Sequence, residues 1–119
     1  MSYVSAEAVL DDVWHVVEFG SFPNRPAVDT VGIFGSQPLK VAVTWGDPHA
    51  IALLLDAGAP IDAQHEGGDT ALHHAIRMGH FDVARLLIER SADQTIRNTL
   101  GQLPRDLCWS GEWASLGLT

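Results

Sequence analysis

Moved along itself by 33 positions, the chain overlays its own residues, and this periodicity limits its fold more than any other feature. The window Gly35-Ser36-Gln37-Pro38-Leu39-Lys40-Val41-Ala42-Val43-Thr44-Trp45-Gly46 lies over Gly68-Asp69-Thr70-Ala71-Leu72-His73-His74-Ala75-Ile76-Arg77-Met78-Gly79. Further on, Leu53-Leu54-Leu55-Asp56 lies over Leu86-Leu87-Ile88-Glu89, and Ala59 over Ala92. The seven identities fall on Gly, Ala and Leu, residue types that set turns and packing, where chance would scatter them. A third copy opens on schedule at Gly101, with Pro104 over Pro38 and Cys108 over Ala42 and Ala75. A unit this short cannot bury its apolar face alone, so copies must stack.

The order Gly68, Thr70-Ala71-Leu72-His73, Ala75, Gly79, Leu86-Leu87, Ser91-Ala92 resembles the ankyrin repeat, and so does Gly35, Pro38-Leu39, Ala42, Gly46, Leu53-Leu54, Gly58-Ala59. The resemblance covers residues 29 to about 112. It implies an all-α solenoid of helix-turn-helix units with a β-turn finger between repeats. It also implies that His73 ties its finger to its helix through the Thr70 hydroxyl. The first copy carries Gln37 and Lys40 at those places, so that tie is expected to be missing there.

Local chemistry agrees. Pro38 suits a first helical turn, Thr70 an N-cap, and Asp47-Pro48 an N-cap followed by N1. Gly46 and Gly79 can take the left-handed residue that closes a helix, as can Gly58; Ser91 replaces that last glycine and predicts a weaker stop. Ile51, Leu53 and Leu54, then Phe81, Val83, Leu86 and Leu87, recur at helical spacing. Ala42, Ala75 and Cys108 share one position, which reads as a close-packed site with Cys108 as a small apolar residue.

The ends depart from the repeat. An amphipathic pattern from Ala6 to Phe19, with Ser5 to cap it and Gly20 to end it, predicts an N-terminal capping helix. Arg105 stands where Leu39 and Leu72 stand in the earlier copies, so the third copy reads as an end cap facing water. Trp109 and Trp113 are spaced to cover that end. The expected organisation is a single domain: a capping helix over 5–20, a linker and first finger over 21–34, repeats over 35–67 and 68–100, and a partial capping repeat over 101–119. Capped at both ends, the chain reads as a complete small protein that is monomeric when unbound.

Of 119 residues, 15 are acidic and 7 basic, a formal net charge of −8. That disfavours a nucleic-acid surface, so no nucleic acid is expected as a partner, and it suits a protein partner with a basic face. One cysteine rules out a disulfide framework. No apolar run approaches the roughly 20 residues that cross a bilayer, and no basic n-region precedes an apolar stretch at the start. The expected compartment is the cytoplasm.

Function must then come from exposed side chains. By the resemblance, two kinds of position face the concave groove: the fingertips, with Ile33, Phe34, Glu66 and Leu100, and the ends of the first helices, with Thr44, Trp45, Arg77, Met78 and Trp109. Such places are polar when unused, whereas several here are apolar or of interface-enriched type. Each one singly also fits packing on a neighbouring finger. Glu66 and Asp69 flank the middle finger, where they could meet a basic partner.

Six histidines invite a metal, but none form a His-x3-His pair on a helix, and no cofactor or catalytic residue is expected. His73 and His74 diverge by about 100° on a helix; His80 reads as surface. The leading expectation is a stand-alone, non-catalytic protein-binding module. Its size and acidity fit an immunity protein or inhibitor of a basic toxin, and six Arg against one Lys fits a GC-rich, bacterial genome. The alternatives are a signalling adaptor or regulatory subunit, a metal-dependent hydrolase using His73 and His74, and self-association through the Trp-bearing C-terminal end.

Overall fold

The computed structural model describes residues 4–14, 27–28, 37–64 and 66–108. Among them are five α-helices and two short 3₁₀ turns, with no strand. The helices are α1 (Ala6–Trp14), α2 (Pro38–Trp45), α3 (Pro48–Asp56), α4 (Ala71–Arg77) and α5 (Phe81–Glu89); the 3₁₀ turns are Glu66–Gly68 and Pro104–Leu107. They form two rows. In one, α2 packs on α4 and α4 on the turn Pro104–Leu107; in the other, α1 packs on α3 and α3 on α5.

Each boundary has a local cause. Ser5 accepts the Ala8 amide at 3.3 Å and starts α1. Residues 15–20, expected to continue this helix to Gly20, lie outside the described residues. Pro38 begins α2, and Gly46 (φ 68°) ends it, its amide bonding the Ala42 and Val43 carbonyls. The Asp47 carboxylate accepts from His49 and Ala50 and starts α3 ahead of Pro48. Thr70 caps α4 in a reciprocal pair with His73. Gln37 makes no side-chain cap to α2, as expected for the first copy.

The two rows bury one continuous core. Val9 and Val13 of α1, Val43 of α2, Ile51 and Leu54 of α3, Leu72 of α4, and Val83 and Leu87 of α5 are all essentially inaccessible. Ala42 and Ala75 are fully buried where α2 and α4 approach. Cys108, expected at the same site, is only partly buried and packs on the edge of the core. Its turn closes through i to i+3 bonds, Asp106 amide to Leu103 carbonyl and Cys108 amide to Arg105 carbonyl, and Cys108 then turns extended instead of continuing as a helix. Arg105 is exposed whereas Leu39 and Leu72, at the same position of the earlier copies, are buried.

Among the described residues, Ser91 is the non-glycine residue with positive φ, at 70°. It closes the turn after α5 as Gly58 (φ 96°) closes the one after α3. A side chain there costs about 1–2 kcal/mol, partly offset because serine has less unfolded-state freedom to lose than glycine. Ser91→Gly is therefore expected to stabilise the fold by about 0.5–1 kcal/mol, seen as a higher urea midpoint at constant slope. No gain would mean that the Ser91 side chain compensates its strain.

Candidate inner-face binding site

The row of α2 and α4 is joined by side chains at its solvent edge. The Thr44 hydroxyl donates to the Lys40 carbonyl at 3.0 Å and accepts from His74 Nε2 at 2.7 Å. Burial, then the charge of Lys40, hold the His74 ring neutral, with Arg77 and His80 adding to the effect and Asp69 opposing it; its pKa falls from 6.5 to about 4. Arg77 pairs with Asp69, Nη2 to Oδ2 at 3.1 Å.

His80, expected at the surface, is partly buried. Its Nε2 lies 3.3 Å from the Thr44 carbonyl, so it donates there. Its ring occupies the space a Gly46 side chain would fill, 2.9 Å from that Cβ position. The glycine that closes α2 thus also seats a histidine from the next repeat.

The fingers lock in the same way. His73 is fully buried. Its Nδ1 accepts the Thr70 amide at 3.2 Å, so Nε2 carries the proton and donates to the Gln102 carbonyl at 2.9 Å. The expected tie to the Thr70 hydroxyl is present at 2.9 Å, and the same ring also holds the following finger. Asn98, which sequence reasoning passed over, is buried at the centre of that finger. Its amide donates to Asp69 and Gln102, and its carbonyl accepts from the Leu100 and Gln102 amides. Its place one residue before Thr99-Leu100-Gly101, where a short polar side chain bonds backbone two residues on, was the available signal. Asp62 accepts the Asp93 amide, and Gln64 donates to the Gly68 and Arg97 carbonyls.

These bonds sort the candidate residues. Trp45 and Met78 occupy the same position of successive repeats, at the ends of α2 and α4, and are 38% and 44% exposed. Thr44 and Arg77 stand beside them, both exposed, and each holds an intramolecular bond. Leu100 is 79% exposed at the fingertip. Asp69 is not open to a basic partner as expected: its side chain is 14% exposed and engaged by Arg77 and Asn98. The Glu66 backbone lies in the 3₁₀ turn of the middle finger. Ile33, Phe34, Trp109 and Trp113 lie outside the described residues.

Histidine rings here serve the scaffold. His73 bonds within the finger, His74 to Thr44 and His80 to the Thr44 carbonyl. Among the described residues, no three His, Cys, Asp or Glu side chains gather to hold a metal ion.

The chain matches the family model described as "Ankyrin repeats (many copies)" over residues 17–88. It is 40% identical over 83 residues to protein phosphatase 1 regulatory subunit 27 of Mus musculus, covering 70% of this chain and 54% of that protein. To ankyrin repeat domain-containing protein 63 of Homo sapiens it is 35% identical over 85 residues, 68% of this chain and 22% of that protein. To ankyrin repeat domain-containing protein 37 of Bos taurus it is 29% identical over 101 residues, 85% of this chain and 61% of that protein. The chain thus spans between a fifth and three fifths of the length of these relatives. A 33-residue period, the stacked helix pairs and the His73 tie agree with the match, and the chain belongs to the ankyrin-repeat family.

Proposed function

We propose that this chain is a non-catalytic module that binds one protein partner through the face made by α2, α4 and the fingers. The observation that carries this reading is the pair Trp45 and Met78. Two large apolar side chains stand exposed at one position of consecutive repeats, next to polar groups already satisfied internally. Exposed apolar side chains at a repeated register are anchors a partner can cover, and Trp is a frequent hot spot. Similarity to a phosphatase regulatory subunit favours an adaptor or regulatory role. An inhibitor of a basic effector, such as a toxin, is the second reading, favoured by the net charge of −8.

Trp45→Ala/Met78→Ala removes two half-covered side chains and is expected to lower the unfolding free energy by about 1–3 kcal/mol while leaving the chain folded. The same change should weaken partner binding by about 2 kcal/mol or more. Affinity capture with parent and variant baits, quantified by mass spectrometry, checks both halves alongside a melting curve. A stoichiometric partner lost only with the variant supports the face. A partner retained equally by the variant rejects it. An enzyme subunit as the captured partner supports regulation, and a toxin domain supports inhibition.

A further inference from the structure

We propose that His74 is a proton-operated latch on the binding face: its neutral ring pins the end of α2 that presents Trp45, and in mild acid the ring leaves and Trp45 loses its fixed setting. This deepens the proposed function and rests on Trp45 being an anchor. Thr44, Trp45 and Gly46 close α2, and two rings of the following repeat reach this one turn. The Thr44 hydroxyl has a single proton, which goes to the Lys40 carbonyl at 3.0 Å. Thr44 is therefore the acceptor of the 2.7 Å bond to His74, and Nε2 carries the proton of that ring. His80 Nε2 donates to the Thr44 carbonyl at 3.3 Å, and its ring fills the space beside Gly46. The residues on both sides of Trp45 are thus held from across the repeat boundary.

A second proton would go to Nδ1 and charge a ring that is half-buried between α2 and α4. Burial opposes this most, then Lys40 of α2; Asp69 of the finger favours it, and Arg77 and His80 oppose it. The other elements packed on α4 are α5 and the turn Pro104–Leu107. They carry Asp82, Arg85, Glu89, Arg105 and Asp106, which are not among the charges acting on the ring. The ring in place therefore has a pKa of about 4, against 6.5 in water. Between those values a ring in water takes a proton that the latched ring refuses. The latch is closed above pH 6.5 and loses ground as the pH falls towards 4. From pH 7 to 5 the open pose gains about 20-fold. Opening removes the shorter of the two histidine bonds to Thr44 and leaves the longer one from His80.

The test needs no partner. The full chain labelled with 5-fluorotryptophan is titrated from about pH 7.5 to about 4 and read by fluorine NMR, with Trp45→Phe assigning the Trp45 signal. The His74 ring is followed in parallel by nitrogen NMR. The expected result is a His74 midpoint well below 6.5 and a Trp45 signal that moves with it. In His74→Gln, whose amide can keep the bond to Thr44 but takes no proton, the Trp45 signal should stay still. Thr44→Val removes the acceptor and should raise the His74 midpoint towards 6.5 by about one pH unit. A parent midpoint near 6.5, a Trp45 signal that ignores His74, or one that still moves in His74→Gln would overturn the proposal. So would a His74 midpoint unchanged by Thr44→Val, or loss of far-ultraviolet dichroism before His74 titrates. Affinity capture with Trp45→Ala/Met78→Ala judges the face separately. A partner kept by that variant rejects the face, whereas a partner lost by it, with a Trp45 signal indifferent to His74, rejects the latch alone.

Discussion

Leu54→Ala and Leu87→Ala are each expected to lower the unfolding free energy by about 2–5 kcal/mol. Both side chains are fully buried. Leu54 belongs to α3, the helix that contacts α1, α2 and α5, so truncation opens a cavity within the packed core. Leu87 sits one repeat later on α5, which packs on α3 and α4. Domains of this size are stable by about 5–15 kcal/mol in total, so either change removes a large share. Each repeat touches only its neighbours, and no distant layer compensates. Urea titration read by far-ultraviolet dichroism checks the values. The neighbouring Leu53 and Leu86 are only partly buried and should cost less. A loss below about 1 kcal/mol at Leu54 would mean that the stack collapses around the cavity.

Gly68→Ala is the second large effect, expected at about 2–4 kcal/mol. Two causes add. Gly68 has φ 75°, where a side chain is strained, and a Cβ there would sit 2.7 Å from the Thr99 amide nitrogen and 3.1 Å from Asn98 Cα. Those atoms are backbone and cannot swing aside, so the fingers must part. The Thr99 amide and hydroxyl bonds to the Gly67 carbonyl, at 3.0 and 2.9 Å, would stretch with them. Gly58→Ala is the control: φ is 96°, but nothing lies within 4 Å. It should cost only the backbone strain, about 1–2 kcal/mol. Thermal melts of the two variants separate the contributions, and equal losses would show that finger contact adds nothing.

Charge shows most clearly how far the sequence could be trusted. A net charge of −8 suits a partner with a basic face, but it does not say where the charges lie: α2 and α4 hold Lys40 and Arg77, while Glu66, Asp69 and Asp106 lie in the middle finger, ahead of α4 and in the turn packed on it. Composition sums over all faces, whereas recognition depends on one. Asp69 fails as a free acid for a related reason: its partner Arg77 is a helix away, and nothing in their spacing announces the pair.

The period, the helices, their caps and the core were legible in the sequence because they follow from interactions within a few residues. Ser5, Asp47 and Thr70 start helices by accepting amides two or three residues on, Pro38 by filling a first-turn position that needs no N–H, and Leu54 and Leu87 mark the buried stripe. What the tertiary structure alone decided is how one repeat sits on the next. His80 covers Gly46, His73 reaches the following finger, and Asn98 gathers Asp69 and Gln102. A 33-residue period sets which positions are equivalent, but not the small offset and rotation between stacked copies. Those few ångströms determine which side chains meet, and so which of them remain open to a partner.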